Sequence, residues 1–157
     1  MDVSRSATVR ASRQDPDDDF RAGAVSEIEL DPSFGPESLE GLDAFSHVEV
    51  LYVFDRVSVD QVTTGARRPR GNAVWPEVGI FAQRARNRPN RIGSTICRVI
   101  SVAGRILRVA ELDAIDGTPV IDLKPVMREF LPRRPTRQPA WATELMAAYS
   151  TTPESPA

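Results

Sequence analysis

The sequence predicts a mainly β protein: a small single-domain β-barrel with short helices and a C-terminal helix. The longest clean periodic stretch, His47-Val48-Glu49-Val50-Leu51-Tyr52-Val53-Phe54, alternates strictly. That alternation sets Val48, Val50, Tyr52 and Phe54 on one face and His47, Glu49, Leu51 and Val53 on the other. Further short β-rich runs, about six in all, are divided by Gly, Pro, Asn and Asp punctuation. Helical periodicity is confined to the end of the chain, so the strand-helix alternation of a doubly wound sheet is missing.

The elements follow in order. Residues 1–22, with Arg13-Gln14-Asp15-Pro16 and the run Asp17-Asp18-Asp19, have little apolar periodicity and read as a flexible N-terminal arm. Residues 23–126 carry the barrel. In it, Ala24 to Leu30 is a strand stopped by Asp31-Pro32, and Pro36 to Leu42 a short helix or turn. Residues 55–77 form a long irregular segment centred on Arg67-Arg68-Pro69-Arg70, and loops of that length in a compact domain tend to be functional or mobile. Val78 to Ala82 is a short strand. Ser94 to Val102 and Arg105 to Leu112 pair across a tight Ala103-Gly104 turn, and Val120 to Lys124 is the last strand.

Residues 127–157 are a Pro/Arg-rich tail with a docking helix. Pro139 suits the first helical position, and Trp141, Leu145 and Tyr149 share one stripe. Ser150 to Ala157 is expected to fray.

With 157 residues, 41% hydrophobic and 27% charged, the chain can bury one core and is not disordered throughout. No apolar run approaches the ~18 residues of a membrane span, and the N-terminus lacks the apolar core of a signal peptide, so a cytoplasmic protein is expected. The single Cys97 excludes an intramolecular disulfide, and with the single His47 it cannot form a His/Cys zinc site; no metal is expected. Cys97 lies in an apolar run and reads as a packed side chain rather than a reactive thiol.

The net charge of −2 is unevenly spread: residues 1–66 hold 14 Asp/Glu against 5 Arg, residues 67–98 hold 8 Arg against Glu77, and the remainder balances at 7 and 7. Arginine is the side chain suited to bidentate carboxylate and phosphate contacts.

Triad chemistry needs a base beside the nucleophile, and His47 is the only histidine, with no nucleophile elbow near it. Neither a Walker loop nor a dinucleotide fingerprint occurs. Asp113 and Asp116 are paired carboxylates, but nothing sets them across a scissile bond. Binding chemistry remains. Gly79 to Gly93 is arginine-dense with a Pro89-Asn90 corner, and Asp113 to Pro125 contains the turn Asp116-Gly117-Thr118-Pro119. These two loops are expected to build one site for a small polar ligand or nucleic acid; the bland alternative is a solvated loop with merely exposed arginines. Asp122 and Lys124 share a strand face, as in a polar pocket wall or an ordinary exposed face.

Several separated motifs, in order, resemble the TsaA-like family, that of tRNA methyltransferase O. They are Phe45-Ser46-His47; Gly79-Ile80-Phe81-Ala82 with Arg84, Arg88-Pro89-Asn90 and Ile92-Gly93; Leu112-Asp113; Asp116-Gly117-Thr118-Pro119-Val120; and Asp122-Leu123-Lys124-Pro125. The resemblance covers roughly residues 23–125. It implies a homodimeric β-barrel methyltransferase that uses S-adenosylmethionine and N6-methylates threonylcarbamoyladenosine beside the tRNA anticodon, where a base in a loop can be splayed out.

By the same resemblance Arg84, Arg88, Pro89, Asn90, Gly93, Asp116, Gly117, Thr118 and Pro119 are placed against the cofactor. Arg88 is expected on its carboxylate, and Asp116 on its amino group or ribose. His47, Asp122 and Lys124 are the catalytic candidates on the acceptor side, His47 being either a proton acceptor or a hydrogen-bonded structural histidine. Arg67, Arg68 and Arg70 are candidates for RNA binding. The alternatives are a non-catalytic RNA-binding or cofactor-sensing barrel, a small-molecule methyltransferase, and a structural dimer without ligand. After the barrel the chain departs from the characterised bacterial enzyme, which continues into a further domain.

Overall fold

The computed structural model describes residues 2–11, 13–15, 19 and 22–151. Six strands close into an antiparallel barrel in the order β1-β2-β7-β6-β3-β8: β1 Ala7–Ala11, β2 Val25–Leu30, β3 His47–Val53, β6 Ile92–Ala103, β7 Ile106–Ala110 and β8 Pro119–Pro125. A two-stranded ladder, β4 Ala66–Arg67 with β5 Val78–Gly79, lies in the segment between β3 and β6. The mainly β barrel expected from the sequence is therefore the fold.

The alternation of β3 gives its burial directly: Val48, Val50 and Tyr52 face the interior, and His47, Glu49, Leu51 and Val53 are half-buried outside. Val9, Ile28, Cys97, Leu107, Val109 and Val120 meet them from the other five strands. Each such aliphatic side chain contributes about 1.5–3 kcal/mol relative to exposure. The 12-residue β6 pairs with β3 through its first half and with β7 through its second, bending at an irregularity between Val99 and Ser101.

The registers turn the ends of β1, β3 and β7, and the starts of β2, β6 and β8, toward one mouth. All the loops that matter for the site leave from there.

Two expectations are corrected. The region read as a flexible arm contains β1, which closes the barrel by pairing with both β2 and β8. Its short run Ala7-Thr8-Val9-Arg10-Ala11 buries only Ala7 and Val9, and its stability comes from partners distant in sequence. Residues 1, 12, 16–18 and 20–21 of that arm, like 152–157 of the expected frayed end, lie outside the described residues.

The C-terminal helix, α1 Ala140–Leu145, is shorter than the stripe suggested. Pro139 is its N-cap rather than its first residue. Trp141, Leu145 and Tyr149 are only half-buried, so packing does not extend the helix beyond its own propensity. No described helix is long and apolar enough to cross a membrane.

Candidate functional site

A cleft of about 280 Å³ opens at the loop-bearing mouth. The arginine loop contributes Arg84, Ala85, Arg86 and Asn87, and the segment after β7 contributes Asp113, Ala114, Ile115 and Thr118. The floor is made by Tyr52 and Phe54 at the end of β3, whose rings meet edge to face with centroids 5.4 Å apart. Asp55, Arg56, Val57 and Gln61 form a third side, and Arg13 reaches in from the N-terminal region.

The arginine loop has no regular ladder, so its carbonyls need other donors. Arg88 Nη1 donates to the Gln83 carbonyl at 3.0 Å, and Arg91 Nη1 to Val57 at 2.5 Å. Asn87 Nδ2 donates to Gln61 at 3.0 Å, and the Thr63 amide returns a bond to Asn87 at 2.9 Å. Buried Gln83 donates to both Arg67 and Val78 carbonyls, at 3.0 and 2.9 Å. Asn90 and Arg91 adopt positive φ of 62° and 54° at the Pro-Asn corner. The loop is thus sewn to the 57–63 turn and to the β4–β5 ladder.

The opposite rim is sewn to β1. The Ala11 amide donates to Asp116 Oδ1 at 3.1 Å, and the Gly117 amide donates to Val9 at 2.9 Å from a backbone with φ 82° that only glycine adopts without strain. Thr118 is buried, its carbonyl accepting from Val9 at 3.0 Å.

Gly93 acts by absence of bulk. A Cβ there would lie 2.4 Å from Tyr52 Cε2 and 2.9 Å from Phe54 Cζ, so the two floor rings sit where they do because this residue has no side chain. Tyr52 shares a hydrogen bond of 3.1 Å with Thr95 Oγ1. Burial, reinforced by the charge of Asp113, pushes its phenol well above the usual tyrosine range, so it stays neutral.

Of the residues placed against the cofactor by resemblance, Arg84 and Thr118 line the cleft. Arg88, Asp116, Gly117 and Gly93 instead brace its walls through the contacts above, while Pro89 and Asn90 form the corner behind the loop and Pro119 opens β8. The expected pairing of Arg88 with a ligand meets a guanidinium already donating to Gln83.

The three catalytic candidates do not reach the cleft wall. His47 begins β3 on the outer face, at the other mouth, its Nδ1 2.8 Å from Ser46 Oγ. Asp122 and Lys124 pair with each other on β8.

Of the arginines proposed for RNA, Arg68 donates to the Ala73 and Trp75 carbonyls and Arg70 forms a two-pronged pair with Asp19 at 3.0 and 3.1 Å, whereas Arg67 turns its Nε inward, buried and without a hydrogen-bond partner among the described residues.

The floor residues Tyr52 and Phe54, with Asp55 and Arg56 after them, were missed as site residues. Their signal was present, since the inward face of β3 runs directly into a charged pair at the strand end.

Beside the cleft lies a second cavity of about 420 Å³, lined by Glu49, Ser94, Ile96, Glu111, Met146 and Tyr149 among others. Arg84 borders both and donates to the Ser94 carbonyl at 2.6 Å. The Tyr149 hydroxyl donates to Asp113 Oδ2 at 3.2 Å, so the C-terminal segment touches the cleft rim. Among the described residues no group of three or more His, Cys, Asp or Glu could hold a metal ion.

Guanidinium groups, carboxylates and aromatic rings converge on one partly apolar cleft, a donor set able to take a zwitterion joined to a flat ring. Fold and cleft together define a class: small closed antiparallel barrels with a loop-built polar cleft at one mouth. The chain belongs to the tRNA-methyltransferase O N-terminal domain family, whose model matches residues 8–130.

It is similar to a crystal structure of TrmO from Pseudomonas aeruginosa, with a TM-score of 0.72 and 28% identity over 90% of this chain and 61% of that one. A probable S-adenosyl-L-methionine-binding protein of Pyrococcus abyssi is 36% identical over 119 residues, 71% of this chain and 59% of the relative. The tRNA (adenine(37)-N6)-methyltransferase of Mus musculus is 38% identical over 93 residues, 59% of this chain and 21% of the relative. The chain thus spans less than two thirds of the length of each of these three.

Proposed function

We propose that this chain binds S-adenosylmethionine in the cleft between the arginine loop and the Asp113–Thr118 segment. We further propose that it N6-methylates threonylcarbamoyladenosine beside the tRNA anticodon. The observation that carries the reading is the composition of that one cleft. Arg84 and Arg86 supply guanidinium donors suited to a carboxylate, Asp55 and Asp113 supply acceptors suited to an ammonium group, and the Tyr52 and Phe54 rings offer faces to a sulfonium cation or a base. Bound S-adenosylmethionine supplies an activated methyl group.

The chain's part is positional. Arg88, Arg91 and Asp116 hold the two walls at a fixed separation, and the buried neutral Tyr52 keeps the floor dry. Asp113 combines a carboxylate at the rim with a contact to Tyr149, which suits it to orient an acceptor amine or take up its proton.

A second reading is favoured by the placement of His47, Asp122 and Lys124 on the outer surface: a barrel that binds S-adenosylmethionine without turnover.

Calorimetric titration with S-adenosylmethionine and with its demethylated product tests the cleft. Arg84→Ala should weaken either ligand by about 1.5–3 kcal/mol, the range for hydrogen bonds to charged groups, and unchanged affinity would remove the assignment. Methyl incorporation into tRNA carrying threonylcarbamoyladenosine then separates the enzyme from the silent binder.

A further inference from the structure

The three arginines first matched to RNA face inward or are already paired, yet the molecule carries another set that is not. Arg128, Arg133, Arg134 and Arg137 are exposed in the segment between β8 and α1, and none of their guanidinium groups has a hydrogen bond or ion pair among the described residues. Only Glu129 opposes them there.

The segment is a strap rather than a loose end. The Val126 amide donates to His47 at 3.0 Å at one mouth of the barrel. Beyond the strap, Glu144 accepts from Trp75 Nε1 at 2.8 Å, and Tyr149 bonds Asp113 at the cleft mouth. Pro132, Pro135 and Pro139 restrict the backbone in between, so little freedom remains to be lost on binding. An extended chain advances about 3.3 Å per residue, which gives Arg133 to Arg137 a reach of ~13 Å, several phosphates of a nucleic-acid strand. Among these arginines Phe130 stands 84% exposed. A flat aromatic beside unpaired guanidinium groups fits an unpaired base next to its phosphates better than it fits an acidic peptide.

We infer that the 128–137 strap is the surface that grips the RNA acceptor, with its arginines on the phosphate backbone and Phe130 stacked on a base. The inference rests on the tRNA reading above. It assigns substrate holding to the strap and leaves cofactor holding to the cleft.

The test is tRNA binding by fluorescence anisotropy across a salt series. It compares the unaltered chain with the fourfold variant Arg128→Gln, Arg133→Gln, Arg134→Gln, Arg137→Gln, with Phe130→Ser, and with a control, Arg5→Gln with Arg10→Gln. The control arginines lie outside the strap and pair with Asp31 and Glu29. S-adenosylmethionine is titrated into each protein in parallel.

The fourfold variant should lose about tenfold or more in tRNA affinity near 0.1 M salt. Its dependence of log affinity on log salt should flatten by roughly 3, each lost contact contributing about 0.7–0.9. Phe130→Ser should weaken binding with the slope retained, and S-adenosylmethionine affinity should be the same throughout. If the unaltered chain binds S-adenosylmethionine but no tRNA at any salt, the tRNA reading fails and this inference with it. If it binds tRNA and the fourfold variant binds equally well with the same slope, or the control loses as much, the strap is overturned and the tRNA reading stands.

Discussion

Arg84, Arg88 and Arg91 each donate to a backbone carbonyl, at 2.6, 3.0 and 2.5 Å, whereas Arg128, Arg133, Arg134 and Arg137 donate to none among the described residues. The difference lies in what surrounds them. A loop folded back on a barrel mouth leaves carbonyls turned away from water, and a guanidinium with five donors can satisfy them. Every residue of the strap is exposed, so water can satisfy its carbonyls and its side chains have nothing to repair. Arginine in the first region is therefore part of the architecture, Arg84 lining the cleft as well, and in the second it is available to a partner. Counting arginines along a sequence cannot separate these uses.

Variants that attack the cleft side should cost stability, and variants of the strap should not. Tyr52→Ala removes the buried floor ring and should cost about 3–5 kcal/mol in urea unfolding, as aromatic truncations in cores do. Arg91→Ala removes the bond that ties the loop to Val57 and should cost ~1.5–3 kcal/mol, with faster hydrogen exchange in residues 84–91. A loss below about 0.5 kcal/mol would mean that the loop is held by other contacts and would weaken the contrast.

Alkaline pH probes the interior beneath the cleft. Burial, then the charges of Asp113 and Glu111, push the Cys97 thiol from 9.0 up to about 12. The folded state thus keeps a proton that the unfolded chain releases. Stability from this group is complete below pH 9 and falls by about 1.4 kcal/mol per pH unit above it, until the folded value is reached. Urea midpoints should drop between neutral pH and pH ~10, and less so in Cys97→Ala, while thiol reagents should label Cys97 only on unfolding. The smallest effect is the strap's: the fourfold Arg→Gln variant should stay within roughly 0.5 kcal/mol of the parent in urea.

The barrel was legible where alternation is strict and punctuation close, as in β3, β6, β7 and β8. β1 was not, because five residues with one fully apolar partner pattern look the same in an arm as in a strand, and its partners on β8 lie more than a hundred residues away. The two loops of the cleft could be named from Pro-Asn and Asp-Gly-Thr-Pro punctuation, which marks ordered turns. The direction of each side chain could not. Arg88 and Asp116 turn toward carbonyl and amide partners of the protein itself, a choice made by backbone geometry at Asn90 and Gly117 rather than by residue type. His47 lies outside because strand parity puts it opposite the core, and the Asp122–Lys124 pair because the register shift between Leu51 and Tyr52 takes them out of phase with buried Val120 and sets them beside outward-facing Leu51 and Glu49.

The seam between β1 and β8, where Ala7 meets Val120 and Thr8 meets Pro119, joins the two ends of the barrel sequence. On a ribosome, β1 can pair with β2 early, but its other edge must wait until β8 has been made. Until then the Asp116 turn, which fastens to β1, has no closed seam to hold it there, and the second wall of the cleft is incomplete. Ring closure of this kind is the slow, high-contact-order step of β folding. Refolding monitored by binding of the proposed cofactor should accordingly lag behind refolding monitored by the β3–β6 core.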